Sequence, residues 1–283
     1  MLKSVVLASV AVASLTAFAT GASAQSSQPV MSANQQANEA FIVQRNNTGG
    51  NSATVEQSGT NNKAGRLFGD IDLSVPNLSD NTLSATANTA YTVLQNGSSN
   101  TLFITQAGSN NSIRTTNGNV FNNPSIGVDN GSFQQGNDNF VDSKQSGSNG
   151  VAQFQQNGDR NQARITVENQ AQNTYAGIFQ TNGVENIASI NQNYNSNNAY
   201  AAIFQIGSNN NAGITQNGNT NYAGLLQSGN HNTANIEQTG SYIGTVGYQS
   251  GSYNTASVTQ SGTSANAGFA QFGSGNGVTI RQR

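Results

Sequence analysis

Apolar and polar residues alternate in a frame that repeats every eleven residues along the C-terminal part of the chain. Each repeat there carries a small or β-branched residue seven positions after a glutamine, and in most repeats a larger apolar residue two positions later. The resulting Ala-x-Ile-x-Gln pattern has a period of two, which is typical of a β-strand with one face turned towards a core. The predicted apolar core residues are Ala212, Ile214, Ala223, Leu225, Ala234, Ile236, Ala256, Val258, Val278 and Ile280.

Polar residues return in the same frame. The repeat glutamines are Gln205, Gln216, Gln227, Gln238, Gln249, Gln260, Gln271 and Gln282. Glycine follows two positions later, at Gly207, Gly218, Gly229, Gly240, Gly251, Gly262 and Gly273. Asparagine follows five positions after the glutamine, at Asn210, Asn221, Asn232, Asn254 and Asn276, with Ile243 and Ala265 as departures. Glycine and asparagine tolerate positive φ, so these segments predict tight turns with turn glycines.

An eleven-residue unit cannot bury its own apolar face, so two units are expected to fold back on each other as a β-arch of about 22 residues. Arches stacked in parallel at about 4.8 Å form an all-β, cross-β solenoid, and about ten rungs are expected over the mature chain. We predict that the glutamine and asparagine side chains form a stacking ladder of hydrogen bonds, because identical amides meet in register between rungs.

The repeat frame spans residues 40–283 with two interruptions, predicted to be inserted loops at about 69–83 and 117–123. The step from Gln180 to Gln192 contains one residue too many, and a bulge is expected at Val184 or Glu185.

Residues 1–24 are typical of a removable signal peptide. Lys3 precedes an apolar run, and Ala22-Ser23-Ala24 resembles an Ala-x-Ala cleavage site. A transmembrane helix is the alternative interpretation, but Ser and Thr break the run and polar sequence follows it. The mature chain is therefore expected to be exported, beginning with a polar segment over residues 25–39.

The composition excludes several classes of function. A net charge of −2 with 8% charged residues gives no basic field for holding nucleic acid, and the absence of cysteine excludes disulfides and Cys-based zinc sites. Most charges fall on turns or on outward strand positions, at Asp138, Asp142, Lys144, Arg160, Arg164, Glu237 and Arg281. Arg66 is the exception, because counting places it on an apolar column.

Catalytic, metal and cofactor sites are not expected. His231 lies in a predicted turn without a partner cluster, and Asp70-x-Asp72 lacks the glycine-rich nonapeptide of calcium-binding β-rolls. Between residues 205 and 282 the only acidic residue is Glu237, so a carboxylate pair for hydrolysis is missing from this region. Phe179, Phe204 and Tyr248 are expected to point outward. There they would serve lateral contacts between fibres or dye binding.

The pattern Gln-x-Gly-x2-Asn-x-Ala-x3-Gln resembles the curlin repeat of curli fibre subunits. It is intact at four places, which begin at Gln205, Gln216, Gln227 and Gln249. Four residue types recurring in phase make the resemblance specific.

The resemblance implies a secreted structural subunit that polymerises with itself and with other curlin-type subunits into functional amyloid fibres of a biofilm matrix. It also implies a dedicated outer-membrane secretion pore and accessory export proteins as partners, and either a major-subunit or a nucleator role. The Arg281-Gln282-Arg283 ending is similar to the nucleator type. The last arch, Gln260–Gln282, is expected to be the templating surface.

A monomeric β-solenoid adhesin or ice-binding protein is the alternative function. It would need a flat and uniform outward column. The column ten positions after each glutamine reads Thr215, Leu226, Glu237, Tyr248, Thr259, Ala270 and Arg281, which is not a regular array.

Overall fold

The computed structural model describes residues 13–20, 38–45, 50–64, 91–113, 116–117 and 132–283, and all regular structure in these segments is β-strand. A thirteen-stranded sheet, sheet 1, contains β1 (Ala13–Thr20), β2 (Asn38–Arg45), β4 (Lys63–Ala64), β5 (Tyr91–Asn96), β7 (Ser112–Ile113), β8 (Thr116–Asn117), β9 (Phe133–Gln135), β11 (Val151–Asp159), β13 (Tyr175–Val184), β15 (Tyr200–Ile206), β17 (Tyr222–Asn230), β19 (Gly244–Ser252) and β21 (Asn266–Ser274). A nine-stranded sheet, sheet 2, contains β3 (Ser52–Gln57), β6 (Thr101–Gln106), β10 (Phe140–Gln145), β12 (Gln162–Val167), β14 (Ile187–Gln192), β16 (Asn211–Asn217), β18 (Thr233–Ser241), β20 (Thr255–Thr263) and β22 (Gly277–Gln282).

From β9 to β22 the strands of the two sheets alternate along the chain, so each turn of this part of the solenoid contributes one strand to each sheet. Neighbouring strands pair in parallel, apart from the short antiparallel pair β5–β8. Equivalent positions lie side by side: β16 aligns Ile214 with Ile236 of β18 and Gln216 with Gln238. The predicted all-β, parallel solenoid with repeats about 22 residues apart is confirmed.

About seven turns run without interruption from β10 to β22, and β3 and β6 extend sheet 2 to nine strands. The expectation of about ten rungs is therefore slightly too high. Counting residues overestimates the number because one rung can draw on strand segments that are far apart in the sequence, as β4 and β5 do.

The apolar columns of both sheets meet between the sheets. Ala212, Ile214, Ala223, Leu225, Ala234, Ile236, Ala256 and Val258 are all buried there, at 5% exposure or less. Val278 and Ile280 are half-buried, because β22 has a neighbour on one side only. Gly247 occupies an apolar column without a side chain, and the ring of Phe269 from the next rung fills that space, since a Cβ at Gly247 would overlap with it.

Two early rungs of sheet 1 are divided between separate strand segments. β2 pairs with both β4 and β5, so that Ala40 aligns with Ala64 and Ile42 aligns with Val93. Val93 thus fills the apolar position that counting assigns to Arg66, which itself lies outside the described residues. The rung of β7 and β9 is divided in the same way, since both strands pair with β11.

The proposed loop at 69–83 lies outside the described residues, as does that at 117–123 except for Asn117 in β8. The extra residue in the step after Gln180 is Asn182 rather than Val184 or Glu185. The register of β11 against β13 shifts there, because Asn157 pairs with Thr181 and Gly158 with Gly183.

The region expected to be a signal peptide contributes β1, which pairs in parallel with β2 over eight residues, from Ala13 against Asn38 to Thr20 against Arg45. Within the described segments, no helix is long and apolar enough to cross a membrane.

Candidate assembly site

Glutamine side chains form a continuous ladder inside sheet 1. The Nε2 group of Gln205 donates to Oε1 of Gln227 at 2.9 Å, Gln227 donates to Gln249 at 2.8 Å, and Gln249 donates to Gln271 at 2.8 Å. Each amide also donates to a main-chain carbonyl of the facing sheet, as Gln227 does to Asn211 at 3.1 Å. The first three are fully buried, so the ladder satisfies amides that would otherwise cost about 1–3 kcal/mol each.

A second ladder runs through sheet 2. Gln216 donates to Gln238 at 3.1 Å, Gln238 to Gln260 at 3.5 Å, and Gln260 to Gln282 at 2.7 Å. The long middle bond has a local cause, since the Thr245 hydroxyl donates to Oε1 of Gln260 and accepts from Nε2 of Gln238. Thr245 occupies a column that carries alanine in most repeats, and its hydroxyl competes with the ladder bond.

Asparagine side chains line one edge of the solenoid. Asn232 Nδ2 donates to Oδ1 of Asn210 at 3.1 Å, Asn254 to Asn232 at 3.0 Å, and Asn276 to Asn254 at 2.9 Å. Their backbone N–H groups use the same Oδ1 acceptors, as Asn232 does at 3.1 Å. This ladder donates towards the N-terminal rungs, whereas the glutamine ladders donate towards the C-terminal rungs.

Asn221 does not belong to such a ladder. Successive eleven-residue units fall on opposite edges, and on the edge of Asn221 the equivalent positions are Ala199 and Ile243. Asn221 instead donates to the carbonyl of Gly240 and accepts from the N–H of Ile243, both at 3.1 Å. The expected asparagine ladder is therefore confined to one edge.

The turn glycines that have a further rung beyond them are spaced too closely for side chains. All seven have positive φ, between 95° at Gly273 and 132° at Gly240. A Cβ at Gly240 would overlap with the carbonyl oxygen of Gly262 in the next rung. Two positions after each glycine, another residue also has positive φ. In this column Thr220 and Tyr242 belong to residue types that seldom adopt a positive φ.

The ladder of sheet 2 has one gap, which the sequence pattern did not reveal. Val167 stands between Gln145 and Gln192 in the glutamine column and is fully buried. Gln192 donates to Gln216 at 3.1 Å and to Tyr175 O at 2.9 Å. Among the described residues, no group donates a hydrogen bond to its buried Oε1.

The charged groups lie outside this interior. Arg160 pairs with Glu185 at 2.9 Å on a turn, and Arg164 pairs with Asp142 at 3.4 Å on the outer face of sheet 2. His231 stacks on the ring of Tyr253 with centroids 4.8 Å apart, on an exposed turn. In the part of the chain that the structure covers, no group of three metal-ligating side chains is present.

The comparisons with known proteins agree with this geometry. A family model described as the curlin associated repeat matches residues 50–108, 207–240 and 251–283. No curated protein matches the chain significantly. The matched segments include β20, β21 and β22 and most of the ladder residues described above. With its repeats, its parallel solenoid and this match, the chain carries the curlin associated repeat in these three regions.

Proposed function

We propose that the chain is a secreted subunit that stacks rung upon rung into a curli-type cross-β fibre at the bacterial surface. In this proposal residues 1–24 direct export and are removed, residues 25–39 serve export targeting, and an outer-membrane pore with accessory proteins completes secretion. The observation that supports it most is that the parallel register and most of the ladder contacts between rungs repeat by translation from β15 to β22. A second copy placed on the edge strands would therefore reproduce the internal contacts.

The edge formed by β21 and β22 has the features that such stacking needs. Ile280 and Phe269 are half-buried, whereas Val258, one rung inward, is 1% exposed. A further rung would complete their burial, at about 25 cal/mol per Å² of apolar surface. It would also pair the open backbone groups of both edge strands and accept the outward-directed amides of the glutamine ladders.

The glycine column supplies a test that separates folding from stacking. At Gly262 and Gly273 an added Cβ would meet no atom closer than 3.8 Å. The same Cβ at Gly240 or Gly251 would overlap with the next rung. The double substitution Gly262→Ala and Gly273→Ala therefore overlaps with no atom of the single chain, although φ values of 105° and 95° strain an alanine at both sites, and it should obstruct a rung added on this edge. Thermal unfolding of the freshly purified variant measures the cost of that strain separately from stacking.

Gly275→Ala is the matched control, because Gly275 also has positive φ, at 73°, yet its column carries side chains in other rungs. We expect seeded, thioflavin-positive growth for the control and little or none for the double variant. Added in small amounts to wild-type protein, the double variant should also stop elongation at fibre ends. If it seeds and elongates as the control does, growth does not use this edge.

The role of the subunit is tested separately. A nucleator added in trace amounts to a major curlin shortens the lag before fibre growth, whereas a bulk subunit contributes in proportion to its mass. The Arg281-Gln282-Arg283 segment supports the nucleator assignment, and an unchanged lag would assign the chain to the bulk fibre.

A further inference from the structure

The two outer faces of the solenoid differ in charge. From β10 to β22, the outward positions of sheet 2 carry Asp142, Lys144, Arg164, Glu237 and Arg281. The outward positions of the four strands β15, β17, β19 and β21 of sheet 1 carry no charged residue at all. From β15 to β22, the strand charges Glu237 and Arg281 therefore both lie on the outer face of sheet 2.

The outward side chains of β15, β17, β19 and β21 form what we call the aromatic face. Tyr222 is 48% exposed, Val246 56% and Phe272 69%. Its rings are stacked along the solenoid axis: Tyr200 and Tyr222 lie parallel with centroids 5.1 Å apart, and Tyr248 contacts Phe272 edge-on at 5.4 Å. Exposed apolar surface that is continuous over several strands marks an interaction site.

We propose that the aromatic face is the surface through which two stacks of this chain pair side by side, so that its partner is a second copy. The proposal rests on the fibre proposed above. Two identical uncharged faces meet without burying charged side chains, whereas two copies of the outer face of sheet 2 would bury charges of both signs. The ring spacing also follows the strand spacing, and another stack of the same chain presents side chains with that same period.

The size of the face explains why pairing depends on stacking. Its four strands and seven-residue width cover about 20 Å by 20 Å, which buries roughly 800 Å² in total when two copies meet. This is about half of the area that a stable protein pair buries. Single subunits are therefore not expected to pair, but the area grows with every subunit added to a stack.

The test uses one lysine on each outer face. Val246 and Ser257 occupy the same column of consecutive repeats, both are exposed, and they point outward from sheet 1 and sheet 2 respectively. In a fibre of nine-rung subunits, each new lysine lies about 40 Å from its copy, far beyond the Debye length of about 10 Å at 0.1 M salt. Neither Val246→Lys nor Ser257→Lys should therefore hinder stacking.

We expect wild-type protein and Ser257→Lys to form paired or bundled fibres in electron micrographs. Val246→Lys should grow at the same seeded rate but remain as single stacks, with pairing weakened by about tenfold or more because an unpaired charge would be buried. High salt should leave the pairing of wild-type protein unchanged and should restore little of that of Val246→Lys, because salt screens exposed charges and does not remove the cost of burying one.

Fibre growth tests the proposed function, whereas the width of the fibres tests the proposed side-by-side pairing. If no variant and no wild-type sample grows fibres, the proposed function fails and lateral pairing fails with it. If fibres grow but Val246→Lys pairs like wild type, or Ser257→Lys is equally unpaired, the aromatic face is not the contact. Wild-type fibres that stay single but float with zwitterionic phospholipid vesicles, in a manner lost in Val246→Lys, would assign the face to a lipid surface instead.

Discussion

Filling the gap in the second glutamine ladder should stabilise the fold. Val167 interrupts the column between Gln145 and Gln192, and the buried Oε1 of Gln192 lacks a donor among the described residues. In Val167→Gln the new Nε2 group would donate to Gln192 Oε1, and the new Oε1 would accept from Nε2 of Gln145. These bonds would copy those that Gln106 makes to Gln145 at 2.9 Å and Gln192 makes to Gln216 at 3.1 Å.

The expected magnitude follows from opposing terms. Satisfying the buried acceptor recovers about 1–3 kcal/mol, and the second new amide bond, from Gln145, adds about 1 kcal/mol. Against this stand about 1 kcal/mol of lost apolar burial, since the glutamine methylenes replace part of the valine side chain, and about 1 kcal/mol for the fixing of glutamine rotamers. The balance is a gain in the free energy of unfolding of about 1 kcal/mol, or a rise in melting temperature of about 2–4 °C.

The measurement is urea or thermal unfolding of the freshly purified full chain, before fibres grow. Gln216→Val is the matched control, because it makes the reverse change in the same column and leaves Oε1 of Gln238 without its ladder donor. It should lower the free energy of unfolding by about 2 kcal/mol. If Val167→Gln unfolds at a lower urea concentration than wild type, the amide ladder does not stabilise this interior in the way argued.

Two further predictions concern positions that depart from the repeat. Thr220 has a φ of 56°, which costs a β-branched residue about 1–2 kcal/mol, so Thr220→Asn should raise the stability by about 1 kcal/mol and Asn209→Thr, at the equivalent turn position, should lower it similarly in thermal unfolding. Gly247→Val should clash with Phe269 and Phe269→Ile should leave a void, each costing about 1–3 kcal/mol; the double variant should recover most of this in a double-mutant cycle, and simple additivity would contradict the packing described.

The fold of the repeat region could be predicted from the sequence because each rung repeats the previous one by translation, which fixes the register of its strands. Once Gln216 pairs with Gln238 in register, Ile214 must pair with Ile236, and an offset of one residue would turn the apolar column outward. The same argument fails where the chain leaves the sheet. Val93 resumes the rung begun by Ala64, and no local pattern shows where a strand re-enters after an insertion.

The misassignment of Asn221 has a different origin. An eleven-residue period treats all repeats as equivalent, whereas neighbours in space are about 22 residues apart. Ile243 and Ala265 differ by that interval and lie on the same edge, next to Asn221. Counting in steps of about 22 residues would have placed Ile243 and Ala265 on one edge of the solenoid and the asparagine ladder on the other.

Even and odd repeats lie in different sheets, and the interior and outward columns of these sheets place different requirements on the sequence. The interior columns must match in every repeat, because each rung packs against both neighbours and both sheets share one core. The outward columns contact only their own sheet, so Glu237 on one face and Tyr248 on the other occupy the same column without conflict. Substitutions in alternate repeats can therefore change how a stack meets its surroundings while the ladders that hold the rungs together stay the same.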